Sequence, residues 1–445
     1  MKHRYNFIKS LAILVAFWGF CHIASGQSVI NLNPPFPTSK SLVADYNGMG
    51  LLSVSDEGIS YNGYGSTMVQ NYRFPLPLTV NDISIMGDSL YFCGEMSSSG
   101  YFGYVDIPNI ITGAPPSGEI VQCPTLTSSN VQINRFKKIE AFIYNSNKSV
   151  IMIGEDNTTS GLTSVVAAHL SSSGSWDFMM KYDYSNLEIF TDVISTSDFV
   201  ATVARKNQSS ATIMRRFNIS PSPAYSNILE DPEGDYRYQI YQFPVTGQPQ
   251  VLTHITTRVN YVALASIAHS GNHYALSIAT ADIANFNPPI GLPSAQCYEI
   301  DLPLYNLGSE ALDIAYSAPT DNLYVTAKID NGGGLQSYLF EVPYMFTGTP
   351  VIAYEFPADT MFSVTCNPAS SAPFNASVSR TDSRIYNHSA SSSPLCPTPD
   401  SFIINLLTVP IAQSLAKLPR QTFSASVSPA PISIMPPSII TIDCP

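Results

Sequence analysis

Apolar residues along the chain fall into short runs of about five to seven positions, alternating or continuous, rich in Val, Ile, Tyr and Phe. Runs of that length bounded by Gly, Asn, Asp, Ser and Pro are strand signals, and no segment carries a sustained i, i+3, i+4 helical stripe. The stretch NDISIMGDSLYFCGE (Asn81–Glu95) shows the unit: a strand, a polar turn, and a second strand ending in Gly-Glu. An echo lies in NKSVIMIGE (Asn147–Glu155), preceded by the strand-like KIEAFIY.

Weaker copies follow in FTDVISTSDFVATVAR (Phe190–Arg205) and NYVALASIAHSGNHYALSIAT (Asn260–Thr280). ALDIAYSAPTDNLYVTAKI (Ala311–Ile329) is the clearest relative, with Asp313 in the place of Asp82. DTMFSVTCNP (Asp359–Pro368) begins another, and LVADYNGMGLLSVSDEGI (Leu42–Ile59) reads as a degenerate first. A repeat of roughly 40–50 residues holding about four strands is the mark of a β-propeller blade, and ring closure leaves few exposed strand edges. The pattern therefore predicts an all-β chain, a single β-propeller of seven blades. Six blades follow if Ser41–Gly65 only completes the last one. The alternative is two β-sandwich domains with a break near Pro221–Pro249, where the chain is irregular and proline-rich. Residues 27–406 form the propeller in this reading. The Pro- and Ser-rich residues 407–445 form a tail, wrapped over the surface or supplying a closing strand beside SVINLN near the N-terminus.

The first 26 residues change the setting. Lys2, Arg4 and Lys9, then LAILVAFWGF, then ASG before Gln27 have the layout of a signal peptide. The apolar run is short of the roughly 20 residues that span a bilayer. Phe20 before Cys21 argues against a lipidation site. No other run is long enough for a transmembrane helix, so the expectation is an exported chain, extracellular, at the cell surface or periplasmic.

Charge narrows the partners. The chain has 21 Lys+Arg against 33 Asp+Glu, a net −12; without Lys2, Arg4 and Lys9 it is 18 against 33, or −15. Such a surface repels phosphate backbones, which argues against nucleic acid. Beyond the leader stand six cysteines, Cys93, Cys123, Cys297, Cys366, Cys396 and Cys444, none with CxxC spacing. An even count in an exported chain favours disulfides over a zinc site, and six cysteines allow fifteen pairings. Proximity suggests Cys93–Cys123 and Cys366–Cys396, leaving Cys297–Cys444.

The run VNDISIMGDSLYFCGEMSSSGYFGYVDI (Val80–Ile107) resembles the blade units of secreted β-propellers of Gram-negative, gut-type bacteria that carry no assigned activity. Those blades have an Asp early in the first strand, a LYFCG-like second strand and a GYFGYVDI-like third. The resemblance implies architecture and an exported location. It carries over no catalytic residue, since propellers host enzymes, lectins and scaffolds alike.

Candidate chemistry is sparse. His269 and His273 in HSGNH flank a turn rather than a helical metal face. No G-x-S-x-G elbow occurs. Among the acids, Glu95 and Glu155 follow Gly at equivalent blade positions, and such acids could converge on a central funnel as a catalytic carboxylate pair. Oxygen-rich EDNTT (Glu155–Thr159) and DNGGG (Asp330–Gly334) could hold calcium but lack EF-hand spacing, so no cofactor or metal is expected. DYRYQIYQF (Asp235–Phe243) places Tyr236 and Tyr238 on one strand face and Tyr241 on the other, suited to a glycan or protein ligand. The bland reading packs these tyrosines between blades. The function expected is a non-enzymatic binding propeller for a glycan or protein. The alternative is an exported glycan-acting hydrolase or lyase using carboxylates in the central funnel. A piece of a larger envelope assembly is a third.

Overall fold

The computed structural model describes residues 28–31, 41–122, 133–156, 162–170, 176–182, 188–206, 211–218, 235–241, 254–282, 294–302, 309–356, 361–366, 376–388, 398–415, 420–424, 427–428, 433–439 and 441–442, a few single positions and short turns within these spans aside. The expected signal peptide (1–26) lies outside them. Among the described residues the fold is antiparallel sheet throughout, with one short helix, Ile107–Thr112.

Six four-stranded meanders follow one another, and a seventh blade is completed from the N-terminal end. Blade 1 takes Leu42–Tyr46, Gly50–Ser55, Gly58–Gly63 and Met68–Arg73; blade 2 takes Thr79–Met86, Ser89–Met96, Ser99–Asp106 and Gly118–Gln122. Blade 3 runs from Ile133 to Tyr182, blade 4 from Glu188 to Tyr241, blade 5 from His254 to Leu302 and blade 6 from Glu310 to Phe356. Blade 7 has three strands of its own, Met361–Cys366, Ala376–Arg380 and Arg384–His388, and takes its fourth, Ser28–Asn31, from the N-terminal end. The first strand of each blade touches the first strands of both neighbours, and blade 7 returns to blade 1. The molecule is a closed seven-bladed β-propeller. Ser41–Gly65 supplies three strands of a blade of its own, which removes the six-blade reading. The strand Asp235–Tyr241 sits inside blade 4, which removes the two-sandwich reading.

Blades bury both faces, so their middle strands need apolar residues at successive positions. Ser89–Met96 does this: Leu90 and Phe92 enter one core with Leu52 and Tyr72 of blade 1 and Leu78 of the connection, while Tyr91 and Cys93 are buried too. Tyr72, Tyr91, Tyr101, Tyr324, Tyr338 and Tyr386 are almost completely buried. Much of the tyrosine content is therefore inter-blade packing. The Tyr72 hydroxyl, carried into the core, donates to Ile110 O, 2.6 Å away.

A β-bulge recurs in the first strands, at Val80/Asp82, Phe136/Lys138, Phe190/Asp192, Ala311/Asp313 and Met361/Val364. An extra residue bends the strand and re-aims the side chain that follows. Asp82 faces Cys93, Lys138 faces Ile153, Asp192 faces Val203 and Asp313 faces Thr326, so the blades share one register. One step along, Gly94 lies opposite Val80 and Gly154 opposite Phe136. A Cβ on Gly94 would lie 1.6 Å from Thr79 O, and one on Gly154 would lie 2.8 Å from the Ile133 side chain. The Gly of each Gly-Glu pair is fixed by that close approach.

The tail girdles the ring rather than closing it, since Ser28–Asn31 is the closing strand. After Thr398 the chain runs back around the whole molecule and adds a fifth strand to every blade. Thr398–Asp400 pairs with blade 6, Ile404–Leu415 with blade 5 and then blade 4, and Arg420–Ser424 with blade 3. Val427–Ser428 pairs with blade 2, Ser433–Ile439 with blade 1, and Thr441–Ile442 with Ser28–Asn31 of blade 7. The division at 406/407 thus falls inside a strand, and the tail begins at Thr398. A strand paired on one side only tolerates proline. Pro410 sits where the strand leaves blade 5 for blade 4, and Pro436 and Pro437 occupy the register irregularity between Met435 and Ser438.

Candidate functional site

Two openings frame the chemistry: an axial channel and a cleft between blades 1 and 2. The channel, about 330 Å³, is lined by the first strands of all seven blades. The edge of each first strand that faces the axis presents backbone N–H groups without a ladder partner, and such groups need acceptors. Side chains of the preceding blade supply them. Asp82 Oδ2 accepts from Ile139 N (2.9 Å), Asp192 Oδ2 from Ile255 N (3.1 Å), Asp313 Oδ2 from Val364 N (2.9 Å) and Ser363 Oγ from Val43 N (3.1 Å). Two residues further on the pattern repeats: Ser84 Oγ takes Ala141 N, Glu140 Oε1 takes Ser195 N and Thr365 Oγ1 takes Asp45 N. The bulges aim these side chains, so they act as staples between blades.

Charge is concentrated here. Lys138 Nζ lies 3.5 Å from Asp82 Oδ1 and 3.6 Å from Asp192 Oδ1. Burial pulls its ammonium toward neutrality, but Asp192, Asp82 and Asp313 outweigh burial and hold the proton firmly. Burial pushes the Asp82 carboxyl up to about 6 despite Lys138, and Glu140 up to about 7 despite hydrogen bonds from Ser195 and Ser84. Asp45, near the channel, is raised by burial against a hydrogen bond from Tyr64.

The cleft is larger, about 640 Å³, and opens on the face that carries the connection from blade 1 to blade 2. Its lining comes from the Asp56–Glu57 turn, the Arg73–Thr79 connection and the Glu95–Ser97 turn. Arg73 Nη2 is 3.5 Å from Glu57 Oε2, and Asp56 Oδ1 accepts from Val80 N at 2.8 Å. Leu76 is 55% exposed beside them, whereas Phe74 is buried against Phe92 with ring centroids 5.2 Å apart. The hairpin at its rim turns on Ser97 and Ser98, both at positive φ (50° and 63°) between the paired Met96 and Ser99. Two-residue hairpins of this hand ordinarily use Asn-Gly, and left-handed non-glycine residues persist where the surroundings hold them.

The sequence-predicted residues are dispersed. Glu95 lines the cleft, and among the described residues its carboxylate has no hydrogen bond or ion pair. Glu155, its equivalent in blade 3, is ion-paired to Arg135 and Lys137. Burial pushes the Glu155 carboxyl up, but those two cations outweigh it and hold it below its ordinary value. Both acids end second strands, so neither lines the axial channel, and the expected convergence on a funnel does not occur. The backbones of Tyr236, Tyr238 and Tyr241 lie on the fourth strand of blade 4, whose residues Tyr236–Ile240 pair with Ile411–Leu415. Their side chains lie outside the described residues.

Cys297 and Cys366 carry thiols, so the expected pairs Cys297–Cys444 and Cys366–Cys396 are not formed. Both sit on blade strands: Cys297 Sγ lies 3.0 Å from Ser277 Oγ on the adjacent strand, and burial pushes its thiol up to about 12. Cys93 is buried in blade 2, while Cys123, Cys396 and Cys444 lie outside the described residues. Among the described residues no three His, Cys, Asp or Glu side chains cluster closely enough to hold a metal. Residues 157–161 and 331–333, within or beside the two loops considered for calcium, lie outside them.

Lys138, Glu140 and Asp192 escaped sequence reading, as did the Arg73–Leu76 wall. Asp192 had a signal, since FTDVIS repeats the Asp-aliphatic pair of VNDISI and ALDIAY. Lys138 had none, because a cation stands where its neighbours carry acids.

Fold and site together define a seven-bladed propeller girdled by its own C-terminal segment. No family model and no curated protein matches the chain. Among solved structures it is similar to the Neurospora crassa Pan2 WD40 domain at 10% identity and a TM-score of 0.41, over 81% of this chain and 95% of that one. It is also similar to Bacteroides ovatus Xyloglucan PUL GH43B at 10% identity and a TM-score of 0.22, over 93% of this chain and 100% of that one.

Proposed function

We propose that the chain is an exported, non-enzymatic binding propeller of the secreted, gut-bacterial kind, and that the cleft between blades 1 and 2 is its ligand seat. One observation carries this reading. The channel acids, which a glycan-acting enzyme would need, spend their oxygens on backbone N–H groups and Lys138, whereas the cleft sets Glu95, which has no hydrogen bond or ion pair among the described residues, beside the half-exposed Leu76. Export rests on the leader-like first 26 residues. Among the described residues no helix is long and apolar enough to cross a membrane.

The rival is an exported hydrolase or lyase, favoured by one fact: Asp82 and Glu140 lie along the same channel with carboxyls raised toward neutral pH. One panel decides between them. Residues 27–445 are presented with host and plant polysaccharides and with peptides, with calcium and with chelator, and both retention and release of reducing ends are scored. Retention without new ends, lost in Leu76→Asp, supports the binding reading. Release of ends that survives Leu76→Asp but vanishes in Glu140→Gln overturns it.

A further inference from the structure

The cleft's own chemistry selects among ligands. Three carboxylates, Asp56, Glu57 and Glu95, face one guanidinium, Arg73, so the lining is anionic. Beside them Pro75 and the half-exposed Leu76 form an aliphatic ledge, with Leu78 buried beneath. Flat stacking against a sugar ring needs an exposed aromatic face. The one aromatic in the lining, Phe74, is 4% exposed and lies against Phe92. An aliphatic ledge flanked by carboxylates fits an extended chain that alternates aliphatic and cationic side chains.

We propose that the cleft receives a basic, aliphatic peptide segment, a Lys or Arg side chain seated between Glu95 and Glu57 with its aliphatic neighbour on Leu76. The proposal rests on the binding reading above and names its ligand class. Leu76 makes the apolar contact, and Glu95 is the acid able to accept a cation without giving up an existing partner among the described residues. Arg73 is drawn toward Glu57 at 3.5 Å, a loose contact between partly exposed groups that a ligand cation can share or displace.

The test uses fluorescently labelled octapeptides against residues 27–445, read by anisotropy: alternating lysine and leucine, glutamate and leucine, or lysine and serine. Unlabelled cellohexaose and xylohexaose serve as competitors. The lysine–leucine peptide is expected to bind, and the glutamate–leucine peptide to bind at least tenfold more weakly. Raising salt from 50 to 300 mM is expected to weaken binding about three- to tenfold, because the charges are exposed and screened. Glu95→Gln and Leu76→Ser are each expected to cost about three- to fivefold, the scale of one exposed ion pair or a partly buried aliphatic contact. Neither should move the thermal midpoint.

Equal binding of the glutamate–leucine peptide, with Leu76→Ser still weakening it, overturns the charge assignment and leaves the cleft standing. Displacement by an oligosaccharide whose affinity depends on Leu76 replaces the peptide class with a glycan. Binding of any probe that neither substitution changes overturns the cleft itself, and so does a complete absence of binding.

Discussion

At the scale of single residues, Lys138 and Glu140 show what holds the propeller's axis. Lys138 stands between Asp82 and Asp192, and removing it strands buried carboxylates. Lys138→Met should cost about 3–5 kcal/mol in chemical denaturation, the penalty for breaking a buried ion pair from one side. A loss under about 1 kcal/mol would mean the channel is wet enough to solvate those acids. Glu140 sets a pH dependence. Its carboxyl titrates near 7 in the folded chain against about 4.5 when unfolded, so between those values the folded chain holds a proton the unfolded chain has released. Stability must then fall as pH rises through that window. Between pH 5 and 7 the denaturation midpoint of the wild type should decline, and Glu140→Gln should flatten the decline. The same slope in both would assign it elsewhere. Asp82 adds the same sign lower down, between about 3.8 and about 6.

At the scale of elements, the Gly-Glu pairs were legible because a physical conflict fixes them. Gly94 admits no Cβ beneath Thr79 O, so its recurrence as Gly154 marks the crossing of first and second strands. Gly94→Ala should therefore push the first strand off its neighbour at a cost of about 1–3 kcal/mol or more. The same substitution at Gly87, where nothing lies within 4 Å, meets only its left-handed φ of 57° and should cost about 1 kcal/mol, the order of a non-glycine held in that region. If both variants shift the thermal midpoint equally, close approach is not what selects Gly94. The largely apolar run Leu323–Ala327 was readable for a related reason, since a middle strand must bury two faces. The acids after Gly94 and Gly154 misled, because equivalence along a second strand brings residues to one face of the ring, not to its axis. The residues that reach the axis follow the bulges, and a one-residue bulge leaves no mark in a hydrophobic pattern.

At the scale of the whole molecule, the least legible feature is the belt. Its pieces, such as Thr398–Asp400 and Val427–Ser428, are too short and proline-interrupted to announce strands. They are strands because seven blade edges already exist for them to pair with. That dependence yields a prediction with two arms. The ring is closed by Ser28–Asn31 on Arg384–His388, with no contribution from the belt. A chain ending at His388 should still fold, with a strand content in circular dichroism reduced only by the belt. Its fourth strands, however, become open edges, and open edges recruit other chains. Light scattering should then show association that grows with concentration, and the thermal midpoint should drop. Removing residues 28–31 instead takes the fourth strand from blade 7 and strips Thr441–Ile442 of its partner. That variant should lose cooperativity rather than merely associate. A chain truncated at His388 that stays monomeric with an unchanged midpoint would show that the blades protect their own edges. The belt's place would then have to be explained by what it presents to the outside, not by what it covers.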